Sequence, residues 1–305
     1  MIHLEGVSKV FGTGWPWRKI TALSGIDLGV EPGEVIGYLG PNGAGKTTTL
    51  KLLVGLLRPT AGRILVGGLS PMLPAARELV GFLPENPYFY EYLTGREFLT
   101  LCARLGQRAP EAGRRVGPLL ERVGLERAAD RPLRKYSKGM LQRAGLAQAL
   151  VNDPPLLILD EPMSGLDPIG RREVRDLILE LKAAGKTILF SSHILADVEL
   201  ICDRVAFLHR GRLLKVSSVE ELSDREGEVE VTVRGVDRSA LAGLEPRLAG
   251  VVPARDGLVL RLADAGMVAE AVASVAAAGG TVFSVTPRRR SLEDYFMDLI
   301  GRDVG

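Results

Sequence analysis

The chain has 305 residues, 46% of them apolar, enough for about two domains with their own cores, which excludes a disordered chain and a small disulfide-held scaffold. Its 39 basic and 37 acidic residues leave a net charge of +2, too little for a global field that would gather nucleic acid or an anionic membrane surface. No apolar run approaches the roughly 18 to 20 residues needed to cross a bilayer, so a soluble chain is expected.

Met1-Ile2-His3-Leu4-Glu5 has no basic segment and meets a carboxylate at once, which argues against a secretory signal and for the cytoplasm. Trp15-Pro16-Trp17-Arg18-Lys19, between two apparent strands, contains a breaker and reads as a protruding loop. Val35 to Leu39 is a short buried strand, followed by Gly40-Pro41-Asn42-Gly43-Ala44-Gly45-Lys46-Thr47 and a helical run from Thr48 to Val54. Between about Tyr88 and Asp153 strands disappear: Thr94-Gly95-Arg96-Glu97 is a capping box opening one helix, and Glu111 to Val123 supports another. A helix over Leu141 to Val151 follows Tyr136-Ser137-Lys138-Gly139-Met140. Strands are then predicted at Leu156 to Asp160, Thr187 to Ser191 and Val205 to Leu208, the pattern of an α/β domain with a mainly parallel sheet. Cys102 and Cys202 are too far apart for a paired metal or redox motif, and both are expected as buried, reduced thiols.

The texture changes near Ser218. Val229 to Val233 alternates with period two, Leu258 to Leu262 and Thr281 to Val285 add strands, and Val268, Val272 and Val275 give an intervening helix an apolar face. A last helix from Ser291 carries Leu292, Tyr295, Phe296 and Leu299 on one side. A small α+β domain is expected over 220–305, after a first domain over 1–219 with a helical insertion at about 88–153. Arg288-Arg289-Arg290 reads as a solvated approach to the last helix.

The chemistry concentrates in the first domain. Gly40 to Thr47 fits G-x-x-x-x-G-K-[ST] between a strand and a helix, where backbone N–H groups cradle phosphates, Lys46 reaches the β/γ oxygens and Thr47 ligates Mg²⁺. Leu156 to Glu161 is an apolar strand ending in two carboxylates. Alternation of strand side chains lets Asp160 hold the metal's water shell while Glu161 faces the space beyond the γ-phosphate as the base for water. Ser137 is a helix N-cap and Gly139 removes bulk where the backbone can touch an anion, giving a second phosphate-binding helix end. His193, just beyond Phe190-Ser191-Ser192, can contact a γ-phosphate oxygen.

In this order, the phosphate loop, Tyr136 to Met140, Asp160-Glu161, Ser164-Gly165-Leu166-Asp167 and His193 resemble the nucleotide-binding subunit of an ABC transporter over residues 1 to about 216. The resemblance implies a P-loop ATPase core with an antiparallel β subdomain and a helical insertion. It also implies two subunits around two ATP molecules, with Ser137 and Gly139 of one gripping the γ-phosphate held by Lys46 of the other. Catalytic roles fall to Glu161, His193 and Lys46; nucleotide contacts to Gly40, Pro41, Asn42, Gly43, Ala44, Gly45, Lys46, Thr47, Thr48, Ser137, Gly139 and Asp167; Mg²⁺ to Thr47, Asp160 and Glu85. Phe11 matches the aromatic that stacks on adenine, with Trp15 and Trp17 as competitors.

Two departures stand out. Glu85 stands where the family usually has Gln, and Ser137-Lys138-Gly139-Met140 replaces the commoner Ser-Gly-Gly-Gln. Residues 220–305, with Ser291 to Phe296, resemble the C-terminal extension of multidrug-type exporter ATPases. The implied partners are a separate multi-spanning membrane permease and a second copy of the subunit, without nucleic acid, placing the chain on the inner face of the membrane. The aromatic cluster Tyr88, Phe89, Tyr90 and Tyr92 is the predicted permease contact, with at least one ring exposed. A soluble ABC-type ATPase acting on nucleic acid or ribosomes would call for a long coiled-coil insertion or tandem ATPase domains. A P-loop GTPase would call for Asn-Lys-x-Asp. The sequence has none of these.

Overall fold

Short, mainly apolar runs bounded by turn residues suit strands buried on both faces, and four such runs become neighbours in one sheet. The computed structural model describes residues 1–13, 18–106, 109–223, 229–241, 244, 248–254, 256–287 and 292–303. The chain divides into two compact units, Met1–Val219 and Glu220–Gly305.

In the first unit β1 (Ile2–Thr13), β2 (Arg18–Val30) and β4 (Ala61–Val66) form an antiparallel sheet in the order β2-β1-β4. A second sheet contains β3 (Val35–Leu39), β5 (Val80–Leu83), β6 (Leu156–Asp160), β7 (Thr187–Ser192), β8 (Arg204–His209) and β9 (Arg212–Ser218). Its order is β5-β6-β7-β3-β8-β9, parallel throughout except for the final β8–β9 hairpin. Every residue of β3, β6 and β7 is buried. The helix α1 (Lys46–Leu53) carries Leu50, Leu52 and Leu53 into a core shared with Ile2, Val7 and Leu23 of the antiparallel sheet and Ile36, Ile158 and Leu189 of the parallel one. This is the P-loop α/β fold with an antiparallel subdomain that the sequence predicts.

After α2 (Pro74–Glu78) and β5, the next strand among the described residues is β6; between them lie α3 (Gly95–Leu105), α4 (Ala109–Arg122) and α5 (Lys138–Leu150). The capping box of α3 is formed, with the Glu97 N–H donating to Thr94 Oγ1 at 3.2 Å and the Thr94 N–H to Glu97 Oε2 at 2.9 Å. The core side is completed by α6 (Pro168–Ala183) and α7 (Leu195–Ile201), and α8 (Val219–Ser223) follows β9.

Three expectations need correction. The helix expected from Leu141 begins at Lys138, because Ser137 accepts the Met140 N–H and closes the first turn ahead of the apolar run. Arg18 and Lys19, read as loop, belong to β2, since the ladder with Thr13 and Gly12 of β1 extends that far; Trp15, Pro16 and Trp17 lie outside the described residues. Cys202 is buried as expected, with its thiol pushed well up by desolvation, but Cys102 of α3 is only half-buried. Burial still raises the Cys102 thiol to about 11, which leaves it protonated and inert at neutral pH.

The second unit contains β10 (Val229–Arg234), β11 (Leu248–Ala254), β12 (Gly257–Leu262) and β13 (Thr281–Pro287), with α9 (Val268–Ala277) between the last two strands and α10 (Leu292–Asp303) at the end. The antiparallel order β11-β12-β10-β13 is a split βαβ arrangement. Val229, Val231 and Val233 alternate inward to meet Leu260, Leu262, Ala271 and Val275. Arg288 to Ser291 lie outside the described residues.

Each unit therefore has its own sheet and apolar core. A chain ending at Val219 is expected to remain soluble and melt in one cooperative transition. Aggregation of that chain, measured by light scattering during a thermal scan, would show that the first unit needs the second.

Candidate functional site

The order β6-β7-β3 brings three strand ends together at one edge of the parallel sheet, the place where α/β proteins build their sites. The loop Gly40 to Gly45 leaves β3 there and enters α1. Gly45 has φ +111 and is the N-cap of α1, with no side chain capping the helix. A side chain at Gly45 would also collide with the Ala22 carbonyl, 2.8 Å from its Cβ position. The N-cap residue thus leaves the first-turn N–H groups without a capping side chain, the arrangement found at anion-binding helix ends. Pro41, Asn42 and Gly43 are exposed, Thr47 and Thr48 half-buried.

Lys46 is 6% exposed, and its Nζ donates to the Gly40 carbonyl at 2.7 Å and lies 3.5 Å from Glu161 Oε1. Glu161 Oε2 sits 2.7 Å from His193 Nδ1. A buried carboxylate is therefore held between a cation and an imidazole, the three groups the sequence nominated for catalysis.

Asp160 and Glu161 diverge for a different reason than strand alternation. Strand β6 stops at Asp160, and Glu161 takes φ +51, a left-handed conformation costly for a residue with a Cβ. Ser191 on β7 holds the turn: its hydroxyl donates to Asp160 Oδ1 at 2.6 Å and accepts the Glu161 N–H at 2.9 Å. Asp160 is 1% exposed. Sequence reading missed Ser191, whose only signal was a pair of hydroxyls at the end of a fully apolar strand.

The turn after Glu161 rests on the start of α5. Gln142, 5% exposed, donates from Nε2 to the Pro162 carbonyl at 3.0 Å. The Lys138 side chain lies over Gly165, where an added Cβ would meet Nζ at 2.2 Å. Lys138 is an exposed residue whose side chain lies along the 164–167 turn. Gln142 is a second residue the sequence reading missed; it was hidden inside a run read only as helix. Ser137 Oγ accepts the Met140 N–H at 3.3 Å and Gly139 is half-buried. Asp167 caps α6, accepting the Gly170 N–H at 2.8 Å.

Other nominated residues are placed apart. Among the described residues no hydrogen bond joins Phe11, Glu85, Ser137 or Gly139 to the Lys46–Glu161–His193 group. Phe11 is half-buried on β1 under Lys9 Nζ, 5.0 Å from the ring centroid. Glu85 is exposed, just past β5. Among the described residues no three His, Cys, Asp or Glu side chains converge as a self-sufficient metal cage. Hard oxygens of Thr47 and Asp160 beside a phosphate-shaped loop fit Mg²⁺, which takes one or two protein ligands and completes its shell with phosphate and water.

Of the aromatic cluster, Tyr88, Tyr90 and Tyr92 are 92%, 62% and 83% exposed, whereas Phe89 is buried edge-on against Phe98 at 5.2 Å. Separately, an open groove of about 860 Å³ runs along the edge of β5, lined by Val80, Phe82, Leu105, Gln148 and Asn152 among others. Among the described residues no helix is long and apolar enough to cross a membrane.

A family model described as ABC transporter matches residues 23–164. An uncharacterized ABC transporter ATP-binding protein of Nostoc sp. is 47% identical over 98% of this chain and 90% of its own. A fluoroquinolones export ATP-binding protein of Mycobacterium tuberculosis is 39% identical over 95% of this chain and 91% of its own. Among solved structures, a dimeric ATP-binding cassette in a post-hydrolysis state with ADP and Pi superposes with a TM-score of 0.67 at 26% identity, covering 72% of this chain and 99% of that one.

Replacing Ser191 with Ala leaves a buried carboxylate oxygen and a strained N–H without partners. A loss of about 1–3 kcal/mol is expected, read as a lower denaturant midpoint at constant slope; an unchanged midpoint would mean that water substitutes for the hydroxyl.

Proposed function

The chain belongs to the family of ABC transporter ATP-binding proteins and is an ATPase, and from that premise we propose that it is the motor subunit of an exporter, closing as a dimer on two ATP molecules and driving a separate membrane permease. The observation that carries the hydrolytic part is the junction of Lys46, Glu161 and His193 at the mouth of the phosphate loop. The loop N–H groups from Gly40 to Thr48 and the Lys46 ammonium hold the phosphates. In the reading proposed, nucleotide takes over the Lys46 ammonium from the Gly40 carbonyl. Glu161 then accepts the proton of the attacking water, and His193 orients that carboxylate and meets a γ-phosphate oxygen. Bound Mg²⁺ would be held by Thr47 and Asp160, with Glu85 as a further oxygen donor, and would neutralise charge developing between the phosphates.

Ser137 and Gly139 are assigned to the γ-phosphate of the facing copy, Asp167 to the same dimer seam, and Phe11 to adenine. The dimeric cassette in the solved relative supports the two-copy arrangement. The export direction rests on the name of the mycobacterial relative. With no helix fit to cross a membrane among the described residues, attachment to the inner face runs through the permease. Exposed Tyr88, Tyr90 and Tyr92 and the groove along β5 are the surface we assign to it, since half-wet aromatic rings are the residues interfaces favour.

Glu161→Gln keeps a hydrogen bond to water but cannot take its proton. Steady-state turnover is expected to fall by roughly 10² to 10⁴ with ATP binding retained, and ATP should accumulate a dimer in size-exclusion chromatography. Turnover at the unsubstituted rate would pass the base role to another carboxylate, Glu85 first.

For the permease surface, joint replacement of Tyr88, Tyr90 and Tyr92 by Ala should reduce co-purification with the membrane partner while nucleotide affinity is kept. Phe89→Ala should instead lower stability, by about 3–5 kcal/mol if the ring's site cannot collapse. Normal assembly by the triple variant would move the contact elsewhere.

A further inference from the structure

Against the phosphate loop lies the tight turn of the β8–β9 hairpin, Arg210-Gly211, which none of the motifs includes. The Gly211 N–H donates to the Ala44 carbonyl at 2.9 Å, and the Gly211 carbonyl accepts the Ser24 N–H at 2.8 Å. One peptide segment thus ties the phosphate loop to β2. Gly211 has φ +75, and an added Cβ would stand 2.6 Å from the Ala22 carbonyl oxygen and 3.0 Å from its carbon, backbone atoms that cannot swing aside.

A peptide unit is planar and trans, so its C=O and N–H point in opposite directions. Holding the Ala44 carbonyl toward Gly211 therefore aims the Gly45 N–H the opposite way, where the phosphate-loop reading puts the phosphates. The unit most needs holding at this point, because it borders a glycine at φ +111, where a peptide flip meets little steric resistance. A flip would replace a donor by a carbonyl oxygen facing an anion. We propose that Gly211 is a positioning residue for nucleotide binding, its N–H fixing the Ala44–Gly45 peptide so that the Gly45 N–H is presented to phosphate. The proposal rests on the phosphate-loop reading above and adds to it an element 165 residues further along the chain.

The test is the ATP concentration dependence of hydrolysis by the full chain carrying Gly211→Ala, with Gly185→Ala as control. Gly185 has a similar φ, +78, in a turn where an added Cβ meets nothing within 4 Å, so it reproduces backbone strain without touching the loop. Gly211→Ala is expected to raise KM for ATP about tenfold or more, the loss of one hydrogen bond to a charged group, with kcat changed less than threefold. Gly185→Ala should lower the melting temperature and leave KM alone. Gly211→Asn, which tolerates the left-handed backbone but brings the same Cβ, serves if the Ala variant does not fold, and should show the same rise. On the unsubstituted chain, hydrogen exchange at the Gly211 amide should slow when ATP binds. A KM rise no larger than the control's, or exchange at Gly211 indifferent to ATP, overturns the proposal. Lys46→Ala measured alongside separates the two levels: if it binds ATP normally the phosphate-loop reading itself fails, whereas loss of binding there with a silent Gly211→Ala rejects only the positioning role.

Discussion

One buried hydroxyl holds the ends of two adjacent strands in working order. Ser191 bonds the Asp160 carboxylate and the Glu161 N–H at once, and by doing so keeps Glu161 in a left-handed conformation that it would not adopt unaided. The two carboxylates consequently leave the chain in different directions within a single residue step. Asp160 stays bonded to Ser191 of the neighbouring strand, and Glu161 turns to Lys46 and His193. The parallel pairing of β6 with β7 and of β7 with β3 is what brings Asp160, Ser191 and Tyr38 side by side in the first place.

Burial makes this group interdependent. Lys46 and Glu161 are both nearly excluded from water, where an isolated charge would be costly and a paired one tolerable. Each carries a second bond, Lys46 to the Gly40 carbonyl and Glu161 to His193, so the charges are solvated by the protein. Pairing and hydrogen bonding together are what let a lysine and a glutamate stay buried side by side at the end of the loop.

Much of the fold and of the site was legible because it is written in contiguous residues. The phosphate loop, the fully apolar strands and the Thr94 capping box each carry their own evidence within a few positions. What escaped reading acts across the chain. Ser191 is 30 residues from the N–H it accepts and Gln142 is 20 from the carbonyl it reaches, so neither partner could be named in advance. The conformation of Glu161 was illegible too, since no glycine marks it. Strand β11 went unread because Leu248-Ala-Gly-Val-Val-Pro-Ala lacks clean alternation and is held by pairing with β12. Helix α5 began three residues early because the cap at Ser137 outweighed the position of the first apolar residue.

The strand order also sets a timetable for synthesis. β3, the central strand and the root of the phosphate loop, pairs only with β7 and β8, whose first residues are Thr187 and Arg204. A ribosome adding about 5–20 residues per second therefore leaves Val35 to Leu39 without sheet partners for on the order of ten seconds. The antiparallel sheet of β1, β2 and β4 can close during that interval and shelter its side of the core, but the nucleotide pocket cannot. Half-made chains therefore carry the phosphate loop on an apolar strand, Val35 to Leu39, that still awaits both of its sheet neighbours.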